Sequence, residues 1–252
     1  MRDALTRLAA MALLPLFLAQ GARAAELRVL SAGAVEPGLA AFAQLVHGTL
    51  GDDVRIQFDT APRIAQRLAA GEVYDILISP PAVIAQAAKD GKVAADTRAP
   101  VGRVGAGIVV RRGGPLPDVA TVAALKQTLL AADSVVYNTA STGLYLDRLF
   151  EQLGILGELK RKTTRYADGA AVMEHLLRGT GNEIGFGAMT EIRLYAQKGL
   201  QLAGPLPADV QNYTQYEAAM MTGTAVPLVA KAALALLATP AGRAAFATGG
   251  VE

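Results

Sequence analysis

The chain has 252 residues, with 24 Lys and Arg against 22 Asp and Glu, 52% hydrophobic residues, no cysteine, no tryptophan and two histidines. Without thiols there are no disulfides, thiolate metal sites or cysteine nucleophiles, and two histidines, His47 and His175, are too few for a multi-histidine metal cluster. Near-balanced charge and an aromatic share of 5% argue against a nucleic-acid surface, which needs clustered cations and stacking rings.

Residues 1–24 read as a secretory signal peptide. Arg2 and Arg7 open it, an apolar run follows over 8–19, and Ala22-Arg23-Ala24 forms a small-x-small cleavage site. The run is too short to span a bilayer comfortably; a retained N-terminal anchor is the alternative. Cleavage after Ala24 removes Arg2, Arg7, Arg23 and Asp3 and leaves 21 residues of each sign. With no cysteine there is no lipid attachment, so the expected product is a soluble, periplasmic protein of near-zero net charge.

Beyond the leader, short β-type runs alternate with helical ones. A strand over 27–31 precedes a helix over 37–48, with Leu39, Phe42, Leu45 and Val46 on one face and Gly48 as its stop. Strand 54–58 leads to helix 62–70, capped by Asp59 or Thr60, and the buried strand 75–79 (DILIS) to helix 81–90. Strand 106–111, helix 121–132, strand 134–138 and helix 143–153 follow. Next come strand 164–167, helix 170–178, strand 183–187 and helix 190–198. Strands 200–203 and 213–221 and helices 227–238 and 240–248 end the chain. This alternation predicts an α/β fold of mostly parallel sheets flanked by helices.

In such sheets ligands lie beyond the carboxyl ends of the strands, where loops open into helices. Four of those loops are small or polar: 31–35 (SAGAV), 59–63 (DTAPR), 138–143 (NTASTG) and 168–170 (DGA). Each alone is also an ordinary helix cap. Together they can present unpaired N–H groups and the positive ends of helix dipoles to an anion. The third loop is richest, with the hydroxyls of Ser141 and Thr142 and with Gly143 permitting close backbone approach. Arg63 stands in the first turn of its helix, where a cation is disfavoured unless an anion or Asp59 sits beside it. A guanidinium also matches a carboxylate in bidentate geometry. Ser79 ends its strand at the same edge. His47 reads as a surface or cap residue, and His175 lies on a predicted solvated helix face. Tyr137, Tyr145, Tyr166 and Tyr195 can line a cleft or fill the core.

No G-x-S-x-G elbow, no phosphate-binding loop and no dinucleotide fingerprint occurs. GTGNEIGFG is glycine-rich but turns into a strand. The residues offer no activated nucleophile and no acid–base pair, so the chain reads as a carrier that needs no cofactor or metal, and not as an enzyme.

The order and texture of LRVLSAGAVEPGLAAFAQL, FDTAPRIAQRLAAGEVYDILISPP, STGLYLDRLFEQLGI, NEIGFGAMTEI and GLQLAGPLP resemble the periplasmic molybdate-type solute-binding proteins of ABC transporters. The resemblance covers essentially the whole mature chain. It implies two lobes, 26–104 plus 218–252 and 105–217, each a mostly parallel sheet flanked by helices, with a ligand cleft and hinge between them. Together with the loop residues above, it places the expected ligand contacts at Gly33, Ala34, Thr60, Arg63, Ser79, Ser141, Thr142, Gly143, Gly169 and Ala188. It also implies a small anionic solute and an ABC permease as partners, and a monomer. The family's hydroxyl positions fall here on Ala34, the Thr60-Ala61-Pro62 stretch and Ala188. Lost hydroxyls and a gained Arg63 point to a larger organic carboxylate; molybdate, tungstate or sulfate is the alternative, and a solute-sensing partner of a membrane receptor is a second.

Overall fold

A computed structural model describes residues 25–114 and 116–252; the expected signal peptide lies outside the described residues. The chain runs β1 (Glu26–Ala32), α1 (Glu36–Leu50), β2 (Asp53–Asp59), α2 (Ala61–Ala69), β3 (Ile76–Ser79), α3 (Pro81–Lys89) and β4 (Ala99–Arg111). It continues through α4 (Val122–Ala131), β5 (Ser134–Asn138), α5 (Ser141–Gln152), α6 (Leu156–Leu159), β6 (Thr163–Tyr166), α7 (Gly169–Arg178), β7 (Glu183–Ala188) and α8 (Met189–Leu194). It closes with β8 (Leu200–Pro205), β9 (Tyr213–Met220), α9 (Pro227–Leu237) and α10 (Pro240–Thr248).

Local chemistry explains most boundaries. α1, α2, α3, α9 and α10 each carry a proline in their first two positions, where the missing N–H is not needed and φ is already helical. α1 does not stop at Gly48. It runs on to Leu50 and ends where Gly51 adopts φ 79°, a left-handed value that lets its N–H reach the His47 carbonyl. α2 buries Ile64 and Leu68, one turn apart, and turns Arg63 and Arg67 away from the core. Burying each of the two aliphatic side chains contributes about 1.5–3 kcal/mol, which holds a short helix against the sheet.

Tertiary pairing overrides local preference at β4, and two helical segments also differ from expectation. β4 is seven residues longer than its apolar run, although the added stretch contains Pro100, Gly102 and Gly105. Pairing with β9 from Ala99↔Ala218 to Gly105↔Tyr213, with an irregularity between Pro100 and Gly102, holds it extended. The predicted helix 190–198 divides into α8 and a 3-10 turn, and α6 forms where no helix was expected.

The strand order is β2-β1-β3-β9-β4-β7-β5-β6, with β8 also on β4. β1, β2 and β3 are mutually parallel, as are β5, β6 and β7. β9 runs antiparallel to β3 and β4, and β4 antiparallel to β7 and β8. β4 changes partners midway, from β9 up to Gly105 to β7 and β8 from Ala106. The buried apolar residues divide accordingly. One cluster joins Leu27–Val104 residues with Tyr216–Val251 residues, and two others cover the faces of the β5–β7 sheet. The carboxyl ends of β1, β2, β5, β6 and β7 meet between these bodies.

Candidate functional site

A cavity of ≈ 280 Å³ opens where those strand ends meet. That is near the lower bound of typical small-ligand sites, roughly 300–1,000 Å³. Its walls come from both bodies: Gly33, Ala34 and Glu36 after β1, the first turn of α2, the first turn of α5, the start of α7, and Ala188, Glu191 and Tyr216.

The α2 wall is set by Asp59. Its Oδ1 accepts the Thr60 N–H at 2.9 Å, and its Oδ2 accepts from Arg67 Nε at 2.7 Å. Arg67 is fixed further by Glu72. Asp59 is therefore neutralised by Arg67, and Arg63 lies at 3.8 Å from it. Arg63 instead reaches over the cavity to Asp168, at 3.5 Å, with its side chain 50% exposed. Long distances and this exposure leave its guanidinium available to another anion.

The α5 wall is built by Asn138. Its side-chain oxygen accepts from the N–H groups of Ala140 and Gly143, at 3.0 and 3.2 Å. This bends the loop so that Ser141 and Thr142 line the cavity. At α7, Asp168 accepts the Ala171 N–H at 2.9 Å. Among the described residues the amides of Ser141, Thr142, Gly169 and Ala170 have no hydrogen-bond partner. Such first-turn donors are the groups that seat anions at helix N-termini. Thr190 Oγ1 donates to the Ala34 carbonyl at 2.6 Å and ties the β1 loop to α8.

Gly33, Ala34, Thr60, Arg63, Ser141, Thr142, Gly169 and Ala188 all line the cavity; Ser79 and Gly143 do not. Gly143 faces the strand: a Cβ there would overlap the Asn138 carbonyl, so the close approach its sequence position allows is helix to strand, not chain to ligand. Ser79 is fully buried, and among the described residues its hydroxyl has no partner. Removing an unsatisfied buried hydroxyl relieves a desolvation cost of about 1–3 kcal/mol. Ser79→Ala is therefore expected to raise the melting temperature of the ligand-free protein; a lowered one would show that the hydroxyl is bonded in solution.

The tyrosines named from sequence stay outside the cavity. Tyr137 is buried against Phe150 with its hydroxyl on Asp147, and Tyr145 donates to the Val210 carbonyl. His175 is not on a solvated face. Its two ring nitrogens meet the Tyr166 hydroxyl at 2.8 Å and Glu183 at 3.1 Å, because β6 and β7 both pack on α7. His47 sits in the last turn of α1, exposed, with Nδ1 3.0 Å from Asp53.

The sequence reading missed Glu36, Glu191 and Tyr216. Glu191 was legible in principle, because NEIGFGAMTEI is a fifth strand-to-helix step at a parallel strand end. Its carboxyl lies against Gly169 so tightly that a Cβ at 169 would overlap both oxygens. Burial, followed by the nearby charges of Asp168 and Glu36, pushes its pKa up to about 7. Burial also raises Glu36. Tyr216 is held well above the usual phenol value by burial and then by Glu191.

The folded chain thus holds the Glu191 proton at pH values where the unfolded chain, near 4.5, has released it. Stability contributed by this group is complete below about 4.5 and is lost as pH rises through 7. With screening by the open cavity the loss amounts to about 1–3 kcal/mol. The ligand-free protein should melt lower at pH 8 than at pH 5.5, and Glu191→Gln should shrink that difference. An unchanged difference would assign it to groups other than Glu191.

Comparisons with known proteins agree with this architecture. A chain from a Pseudomonas species, an aconitate isomerase, is 31% identical over 181 residues, covering 72% of this chain and 68% of that one. The periplasmic molybdate-binding protein of Azotobacter vinelandii superposes with a TM-score of 0.75 at 16% identity, covering 90% of this chain and 98% of its own. The sulfate-binding protein of Mycobacterium tuberculosis gives 0.73 at 15% identity, covering 90% and 86%. Both superpositions show a shared α/β fold, and the two proteins are named for binding molybdate and sulfate. The family model for bacterial extracellular solute-binding proteins matches residues 27–252, and the chain belongs to that family.

Proposed function

We propose that this chain captures a small organic polycarboxylate in the cleft between its two bodies and delivers it to an ABC-type membrane permease. The observation that carries the reading is the convergence of the first turns of α2, α5 and α7 on one cavity, with Arg63 leaning over it. Gly33, Ala34, Thr60, Arg63, Ser141, Thr142, Gly169 and Ala188 are the proposed contacts. Ser141 and Thr142 supply hydroxyls, the first-turn amides supply donors, and Arg63 supplies the counter-charge. The lobes would be 26–104 plus 218–252 and 105–217, hinged where β4 and β9 pass between them, with closure trapping the ligand. The protein would work in the periplasm as a monomer after cleavage of residues 1–24.

Two considerations favour a carboxylate over a tetrahedral oxyanion. The Pseudomonas relative is named for a tricarboxylate, and aconitate joins three carboxylates on a three-carbon unsaturated chain. Ala34 and Ala188 are also smaller and less polar than an oxyanion cage of hydroxyls would require. The cavity walls carry Glu36, Asp59, Asp168 and Glu191 as well as Arg63, which would repel an anion if all were free and ionised. Asp59 is paired with Arg67, Asp168 caps α7 by accepting the Ala171 amide, and burial holds Glu36 and Glu191 toward their neutral forms.

A thermal-shift panel of molybdate, tungstate, sulfate, phosphate and mono-, di- and tricarboxylates, including cis- and trans-aconitate, tests the reading. Ligand at a hundredfold excess over its Kd adds about 2.7 kcal/mol of stability. A shift with di- or tricarboxylates alone supports it. A shift confined to molybdate, tungstate or sulfate overturns the carboxylate assignment and leaves an oxyanion carrier.

A further inference from the structure

We infer that Glu191 binds the solute as a neutral carboxylic acid: its hydroxyl donates a hydrogen bond to a carboxylate of the ligand, and the cleft takes up a proton together with that ligand. This deepens the carboxylate reading of the cavity and rests on it.

Glu191 is the lining carboxyl with no partner. Asp59 accepts from Arg67 and the Thr60 amide, and Asp168 caps α7 through the Ala171 amide. Glu36 opens α1, a helix of 15 residues whose dipole favours a carboxylate at that end. Glu191 stands in the first turn of α8, which has 6 residues and a correspondingly weaker field. Among the described residues it makes neither an ion pair nor a hydrogen bond, although its carboxyl packs against Gly169 at the cavity wall. A Cβ at 169 would overlap both oxygens, so glycine there is what lets the carboxyl reach this place.

The titratable groups facing it are Glu36 from α1, Asp168 from the turn into α7, Tyr216 from β9 and Tyr195 at the end of α8. Each is neutral or negative, and no cation is among them. Arg63 is the one cation lining the cavity among the described residues, and its contacts are Asp59 and Asp168. An ionised Glu191 would therefore face only like charge, and an incoming anion would add to it. Protonated, it carries an O–H donor for which the folded chain offers no acceptor, in a wall that opens on the cavity. Buried donors are paired in native complexes, and here the ligand is the acceptor. A hydrogen bond from a carboxylic acid to a carboxylate is of the short, charge-assisted kind. Arg63 and the α5 and α7 amides hold one ligand carboxylate and Glu191 holds a second, so the site selects solutes with two or more. Burial, then the charges of Asp168 and Glu36, already push its pKa up to about 7, and a ligand carboxylate beside it raises the value further. Affinity is then full below about 7 and falls above it, by about tenfold per pH unit while one proton is taken up.

Isothermal titration of the purified protein with succinate, tricarballylate and citrate tests this, since the carboxyls of all three are ionised at about pH 8. Titration in phosphate and in Tris, which differ in ionisation enthalpy, counts the protons bound. The expected result is uptake approaching one proton per ligand at pH 8, with affinity about tenfold lower at pH 9 than at pH 8. Glu191→Gln keeps a donor but cannot titrate, so it should bind without proton uptake and with an affinity that no longer changes with pH. Glu191→Met, of similar length and without a donor, should bind about 10- to 150-fold more weakly than the parent at pH 7. Binding without proton uptake in the parent overturns the inference and leaves the carboxylate reading standing. Uptake that persists in Glu191→Gln overturns the assignment to Glu191. No binding of any of the three ligands overturns the polycarboxylate reading, and this inference with it.

Discussion

Replacing Arg63 with alanine is expected to weaken tricarboxylate binding by about 10- to 150-fold and to leave the ligand-free melting temperature nearly unchanged. The two halves of this expectation have different physical origins. In the ligand-free protein Arg63 pairs with Asp59 at 3.8 Å and Asp168 at 3.5 Å while half exposed. Pairs of that kind contribute roughly 0–1 kcal/mol. In a closed cleft the same guanidinium would meet a carboxylate away from water, where a charge-assisted hydrogen bond contributes about 1.5–3 kcal/mol, and each 1.4 kcal/mol is about tenfold in affinity. Lysine should rescue only part of the loss, because an ammonium cannot form the two parallel bonds of a guanidinium. Isothermal titration of the parent, Arg63→Ala and Arg63→Lys with trans-aconitate reads the difference directly. Equal affinity in all three would remove Arg63 from the site.

Gly143→Ala gives the second large effect, and its sign is informative. In a helix, alanine is preferred to glycine by about 1 kcal/mol, so helix propensity alone predicts stabilisation. The structure predicts the opposite. A Cβ at 143 would overlap the Asn138 carbonyl, a backbone atom that cannot swing aside as a side chain could. Either α5 must lift from β5 or the Asn138 loop must deform, an overpacking cost of about 1–3 kcal/mol or more. Deformation would also break the bonds from Asn138 to the Ala140 and Gly143 amides and so misplace Ser141 and Thr142. Urea denaturation should show a lowered midpoint, together with weaker carboxylate binding. A midpoint at or above the parent value would mean that the helix–strand contact relaxes at no cost.

The site was unevenly legible in the sequence, and for identifiable reasons. Small and polar residues after predicted parallel strands marked Gly33, Ala34, Thr60, Ser141, Thr142 and Gly169, because the α/β topology places such loops on one edge. Arg63 stood out as a cation in a helix's first turn. Gly143 has the composition of a ligand-approach residue, but its neighbour is the Asn138 carbonyl, a distinction that depends on distance and not on residue type. His175 looked solvated because the residue pattern of its helix does not show that Tyr166 and Glu183, on the strands just before and after α7, come back to meet its two ring nitrogens. Tyr216 joins the cavity from β9, which returns late in the chain to pair with β3 and β4.

By itself the sequence determined the alternation of strands and helices, the parallel α/β class and the edge on which ligand loops gather. These follow from local periodicity, proline and glycine placement, and the rule that parallel strands need helical crossovers. Only the tertiary structure decided the length of β4, whose proline and glycines become strand by pairing with β9. It alone decided that Asp59 is neutralised by Arg67 while Arg63 reaches across to Asp168. It alone gave Glu191 its environment, since a glutamate's proton affinity is set by the burial and charges around it, and those come from Gly169, Asp168, Glu36 and Tyr216, scattered along the chain and brought together by folding.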